Sequence, residues 1–147
     1  MRTHVRFQSA QFTPATAEPG QINTERYGYA LANWVSARLR ERGFSADGPT
    51  PEDWGWLLGV VNDGQVVRIG CGNVDGSVSE WLIWLDAAQP GLLARLMGRG
   101  GSRAPNALFG IVAALHGALT ASANAQDIEW FNVDPRGQEI DHAATPV

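Results

Sequence analysis

The stretch from Gly70 to Gly76, GCGNVDG, combines three glycines, the only cysteine of the chain and two side chains that carry oxygen ligands. A dinucleotide-binding loop needs the spacing G-x-G-x-x-G at the start of a helix, and here Asp75 stands at the last glycine position with a predicted strand to follow. A calcium loop aligned on Asn73 would need an oxygen ligand at Cys71 and a glutamate at Leu82. We therefore interpret the stretch as the end of a strand followed by a turn.

The thiol and imidazole side chains do not form a catalytic or metal-binding pattern. A nucleophilic cysteine needs a nearby base and access to solvent, whereas the predicted strand pairing places Cys71 opposite Trp56 on an apolar face. The histidines His4, His116 and His142 are far apart in the sequence, and no paired His/Cys spacing indicates zinc. We expect a buried, unreactive thiol, a structural His116 on a helix flank, and neither metal nor cofactor.

Two polar stretches are candidates for chemistry. Glu52 and Asp53 could provide an acid or base, although no second carboxylate stands opposite them, and solvation at the start of a strand is the alternative. Arg95, Arg99 and Arg103 alternate with glycines ahead of a predicted helix, whose N-terminal amides can bind an anion. Arg99 and Arg103 are thus candidate anion-binding residues, with a mobile loop as the alternative.

Composition excludes several classes of function. The 147 residues carry a formal charge of −4, which argues against a nucleic-acid-binding protein. All 11 basic residues are arginine, so neither Schiff-base chemistry nor a phosphate-loop lysine is available. One cysteine permits no internal disulfide and is typical of the reducing cytoplasm. No window approaches the ~18 continuous apolar residues that span a bilayer.

The elements that would position these residues follow from periodicity. Two helices are predicted from single apolar stripes, one starting near an N-cap at Asn23 or Thr24 and ending at Gly43, the other running from Leu108 to Leu119. A short helical piece is predicted at Gly91–Met97. Strands are predicted at Val5–Phe12, Trp54–Val61, Val66–Gly72, Glu80–Asp86 and Ile128–Val133, and the connector DGPTPED is predicted as turns.

The dipeptide Asp63-Gly64 between two apolar runs indicates a two-residue hairpin loop. That loop sets the register, in which Trp56 faces Cys71, Leu58 faces Ile69 and Val60 faces Val67 on one apolar face. The opposite face pairs Val61 with Val66, Gly59 with Arg68, Leu57 with Gly70, and Gly55 with Gly72. Only the first of these two faces is suited to a core.

These patterns predict an α+β domain in the order β-α-β-β-β-α-β, with a mostly antiparallel sheet and both long helices on one face. The domain is predicted to cover residues 1–134, and the polar residues 135–147 are predicted to form a mobile tail.

The other face of the sheet is the candidate binding surface. Trp84, Leu57 and Leu82 share it with Arg68 and with several glycines, which allow another group to approach the backbone closely. One interpretation is a docking surface for a protein partner or for a second copy of the chain. The alternative is that Trp84 covers the glycines of its own sheet.

The run EDWGW at 52–56, followed by GCGN at 70–73 and EWL at 80–82, resembles a pattern in small uncharacterised bacterial proteins, over roughly Asn23 to Phe131. The resemblance implies a bacterial, cytosolic origin and no particular activity. We therefore expect a non-enzymatic binding protein, such as an immunity-type or regulatory partner, without nucleic-acid or membrane binding. A small enzyme using Glu52 and Asp53, or the arginine-glycine loop at 95–103, is the alternative hypothesis. Convergence of Glu52, Asp53, Asn73 and Glu80 in one pocket would favour it.

Overall fold

A computed structural model of the chain describes residues 1–14, 16–87 and 104–147. Its elements in chain order are β1 (His4–Gln8), α1 (Tyr29–Arg40), β2 (Ala46–Glu52), β3 (Gly55–Asn62), β4 (Gln65–Asn73), β5 (Glu80–Ala87), α2 (Ala104–Ala121), β6 (Gln126–Val133) and β7 (Glu139–Ala143). The predicted helical piece at Gly91–Met97 lies outside the described residues.

The seven strands form one sheet in the order β2-β3-β4-β5-β1-β6-β7, and every neighbouring pair is antiparallel. Helices α1 and α2 contact each other and the central strands. The core lies between the helices and one face of the sheet, where Val5, Ile83 and Ile69 are fully buried. The predicted α+β class is confirmed, with two strands more than predicted.

The predicted register of the β3–β4 hairpin is confirmed. Trp56 pairs with Cys71, Leu57 with Gly70, Leu58 with Ile69, Gly59 with Arg68, Val60 with Val67 and Val61 with Val66. Asp63 adopts a positive φ of 49° and Gly64 one of 70°, as a tight loop between right-twisted strands requires. Local turn chemistry therefore fixes which hairpin side chains face the core.

Strand β2 occupies the stretch that we predicted as turns, so that prediction was wrong. Pro49 and Pro51 interrupt the amide ladder, and the pairing of β2 with β3 shifts register between Asp47 and Thr50. Proline is tolerated in a strand at the edge of a sheet, and β2 is such an edge. Its sequence lacks strand periodicity because none of its seven residues is buried.

Strand β7 lies in the segment that we predicted as a mobile tail, and it forms the opposite edge of the sheet. It pairs with β6, although with a register shift between Trp130 and Asn132. Arg2 forms an ion pair of 2.8 Å with Asp141, and the Arg2 amide donates to the Pro146 carbonyl. Four of the five β7 residues are exposed, so the strand shows no apolar alternation that the sequence could reveal.

The start of α1 also differs from the prediction, since the helix begins at Tyr29 after Gly28 and not near Asn23. Glu18, in the loop after β1, takes the place of a local cap. Its carboxylate accepts hydrogen bonds from the amides of Gly28 (2.8 Å) and Tyr29 (2.9 Å) and from Trp56 Nε1 (3.0 Å). A negative charge at a helix N-terminus is stabilising, and this one arrives from a loop ten residues away.

Candidate functional site

The face of the sheet opposite the helices, called here the outer face, carries one continuous row of side chains across six strands. The register places Leu57 beside Gly70, Gly70 beside Trp84, Trp84 beside His4, and His4 beside Phe131. His142 on β7 completes the row by stacking on Phe131, with ring centroids 5.5 Å apart. The row is thus apolar and aromatic from one side of the sheet to the other.

Trp84 lies flat over the backbone of Gly70. A Cβ atom added to Gly70 would stand 2.0 Å from Trp84 Cε2, so only glycine leaves space for the ring. Trp54, from the β2–β3 turn, packs against Trp84 with ring centroids 5.2 Å apart. Trp84 therefore covers the glycine backbone of its own sheet, and its half-buried ring also stays part of the outer face.

Charged residues border this row on both sides. On one side, Arg68 forms an ion pair with Asp86 across β4 and β5. On the other side, half-buried Leu82 stands beside Arg6 in the register of β5 and β1. The sequence-predicted surface residues Leu57, Leu82, Trp84 and Arg68 therefore all lie on the outer face.

Arg6 is the centre of a cluster of carboxylates that the sequence did not reveal. Its guanidinium group lies 2.8 Å from Glu129, 2.9 Å from Glu139 and 3.7 Å from Glu80. The hydrogen bond from Arg6 holds the pKa of Glu129 below its ordinary value. Strand alternation indicates that Arg6 faces outward, but its partners come from strands up to 133 residues away and leave no local signal.

Two imidazole rings flank Phe131 on the same face. His4 approaches it at 5.5 Å, and His142 lies nearly parallel to it on the other strand. The arginine of the carboxylate cluster also lies over the ring, 5.2 Å from its centroid, so Phe131 is buried although it points away from the helices. Burial lowers the pKa of His4, while His142 Nδ1 lies 3.2 Å from Glu129.

A cavity of about 520 Å³ opens beside this cluster. Its lining includes Arg6, Glu80, Asp127, Glu129 and His142. This volume is in the range of small-ligand pockets, and the lining combines these charged side chains with apolar residues such as Ile128. The cavity can accept a polar or cationic group more readily than an apolar ligand.

The GCGN segment has a structural role in each of its positions. Cys71 is fully buried opposite Trp56, as predicted, and burial raises the pKa of its thiol. Gly28 closely approaches the Cys71 carbonyl oxygen, since an added Cβ would stand 2.4 Å from it. Asn73 is buried, accepts a hydrogen bond from the Tyr27 amide and donates to two backbone carbonyls. These bonds fasten the loop ahead of α1 to the sheet.

The carboxylates suggested for catalysis are not brought together around one cavity. Glu52 pairs with Gly55 at the β2–β3 turn, whereas Glu80 faces Arg6 in a cavity that neither Glu52 nor Asp53 lines. Asn73 is occupied by its backbone contacts. No group of three or more His, Cys, Asp or Glu residues suited to a metal ion occurs within the described ranges.

The remaining candidates are placed as follows. Arg95, Arg99 and Arg103 lie outside the described residues, so the anion-binding hypothesis for that loop stays a prediction. His116 accepts a hydrogen bond from Trp130 Nε1 at its Nδ1 atom, 3.2 Å away, and packs edge-on against that ring. This contact is the structural helix-flank role that we expected for it.

Comparisons of the chain with protein-family models, with curated proteins and with solved structures found no match. Neither α1 nor α2, the two helices of the described part of the chain, is long and apolar enough to cross a membrane.

Proposed function

We propose that this protein is a non-enzymatic interaction protein and that its outer face binds a partner protein with a basic surface. The observation that supports the proposal is the make-up of that face, an apolar and aromatic row bordered by charged residues. Protein interfaces share this anatomy, with aromatic residues and arginine enriched at the centre and a polar rim around them. An immunity-type or regulatory role, in which one protein occupies the site of another, is a role of this kind.

The charge balance of the face favours a basic partner. Its ion pairs use four carboxylates, from Asp86, Glu80, Glu129 and Glu139, but only two guanidinium groups, from Arg6 and Arg68. A second copy meeting this face about a two-fold axis would bring the same acidic excess against itself. A basic surface instead gains long-range attraction, which raises the association rate.

The test is to isolate partners from a host lysate with the tagged full chain and then to measure binding of the purified partner. The Trp84→Ala variant should weaken binding by about 30-fold or more, since a central tryptophan contributes about 2 kcal/mol at an interface. Glu139→Gln should reduce the association rate and its dependence on salt. Phe109→Ala is the control, because Phe109 is 55% exposed on α2, away from the sheet.

Thermal melts of the same variants separate binding from folding, since Trp84 also packs within its own chain. The proposal is supported by a basic partner that does not bind the Trp84→Ala variant but still binds the Phe109→Ala variant. The proposal is contradicted by an acidic partner or by a partner that still binds the Trp84→Ala variant. It is also contradicted if the wild-type protein only self-associates in sedimentation. We include a cytoplasmic location in the proposal, supported by the single unpaired thiol of Cys71.

A further inference from the structure

A second cavity, of about 330 Å³, lies where the carboxyl ends of α1 and α2 approach each other, on the helical side of the sheet. We call it the helix-end cavity. The residues that bear on its chemistry are Gln11, Trp34, Arg38, Glu41, Arg42 and Asn124. They come from the turn after β1, from the end of α1 and from the loop after α2. None of them belongs to the outer face.

Arg38 holds a buried donor that has no acceptor. Its Nη2 atom contacts Glu41 at 2.7 Å, and its guanidinium carbon lies 6.0 Å from the centre of the Trp34 ring. Its Nε atom is buried and has no hydrogen-bond partner among the described residues. The Arg38 side chain as a whole is 38% exposed, so its other N–H groups remain accessible at the cavity.

Arg42 also lines the helix-end cavity, where its guanidinium group lies beside Gly117 of α2. An added Cβ at Gly117 would stand 2.7 Å from Arg42 Nη1 and 3.0 Å from Nη2, so this glycine makes room for the guanidinium group against α2. Glycine inside a helix costs about 1 kcal/mol relative to alanine. Within the described ranges Arg42 forms no ion pair that would account for its position.

We propose that the helix-end cavity binds a small oxyanion, a phosphate or carboxylate group, through the guanidinium groups of Arg38 and Arg42. The cavity lining contains two guanidinium groups, Arg38 and Arg42, and one carboxylate, Glu41, which leaves a net positive charge. The planar guanidinium group matches the geometry of both phosphate and carboxylate. The amides of Gln11 and Asn124 add neutral donors. The volume is that of a small metabolite site.

A structural explanation competes with this one. The carbonyl groups at a helix C-terminus attract cations, so the two arginines could serve only to neutralise the ends of α1 and α2. The two explanations predict different results when an anion is added, when an arginine is replaced, and when Arg42 is displaced by a larger residue at Gly117.

The experiment is calorimetric titration of the full chain with inorganic phosphate and, separately, with citrate as a carboxylate probe. We expect saturable binding of at least one probe, weakened tenfold or more by Arg38→Gln and by Arg42→Gln. Arg40→Gln is the matched control, because Arg40 is an exposed arginine of the same helix that does not line the cavity. Which probe binds distinguishes a phosphate site from a carboxylate site.

Gly117→Ala provides a test that folding defects cannot imitate. The variant should melt at the same or a higher temperature, because alanine favours the helix and the flexible guanidinium group can move aside, yet it should bind the probe more weakly. The proposal is overturned if neither probe binds at millimolar concentration, or if binding survives both arginine variants. It is also overturned if Gly117→Ala leaves the affinity unchanged.

Discussion

Replacing Glu18 by alanine removes a carboxylate that joins the loop after β1 to the start of α1 and to Trp56 of the sheet. Glu18 is only 8% exposed, and its carboxylate receives the amides of Gly28 and Tyr29 and the indole N–H of Trp56. In the variant the Gly28 and Trp56 donors stay buried without an acceptor. The Tyr29 amide is only partly buried, so water can replace the carboxylate there.

The expected loss follows from those contacts. Each buried unpaired donor costs about 1–3 kcal/mol, while relief from burying the carboxylate offsets part of the sum. We expect Glu18→Ala to lower the free energy of unfolding by about 3 kcal/mol, which corresponds to a fall in Tm of about 10 °C for a chain of this size. Glu18→Gln keeps one acceptor oxygen and should lose about half as much.

Urea unfolding monitored by tryptophan fluorescence and thermal melts by circular dichroism measure these losses. Glu25→Ala is the matched control, since Glu25 is an exposed glutamate in the same loop and should change stability by less than about 0.5 kcal/mol. If Glu18→Ala and Glu25→Ala are equally stable, Glu18 is not the cap of α1 and the reasoning is refuted.

Three further predictions concern the sheet. Gly70→Ala should destabilise the fold by about 1–3 kcal/mol in urea unfolding, because the added Cβ would overlap Trp84. Gly59→Ala on the same face should not destabilise it, because no atom lies within 4 Å of an added Cβ there. Equal effects of the two variants would contradict the packing of Trp84. Burial lowers the pKa of His4 below its ordinary value of 6.5, so the unfolded state takes up the proton first and the free energy of unfolding falls as pH drops below 6.5. His4→Gln should remove this slope below pH 6.5, and an unchanged slope would exclude His4 as its cause. Cys71 should resist a thiol reagent in the native state and react only after unfolding, and rapid stoichiometric labelling of native protein would show that it is not buried.

Local sequence patterns were sufficient where the structure depends on residues close together in the chain. The Asp63-Gly64 turn and the alternation on either side of it predicted the six β3–β4 pairs from Trp56–Cys71 to Val61–Val66, because side-chain period and turn geometry together fix a hairpin. The same alternation placed Trp84 and Arg68 on the outer face and Cys71 in the core.

The features that the sequence did not reveal are two edge strands without an apolar pattern and several contacts between distant segments. Strands β2 and β7 are sheet edges without a buried residue, so neither shows an apolar period in its sequence. The cap of α1 comes from Glu18 in a separate loop, and the carboxylates around Arg6 come from strands β5, β6 and β7. The sequence determined which residues the two helices and the β3–β4 hairpin turn toward the core. Only the tertiary structure decided which charges meet on the outer face, because ion pairs between strands depend on the order of those strands in the sheet and not on spacing along the chain.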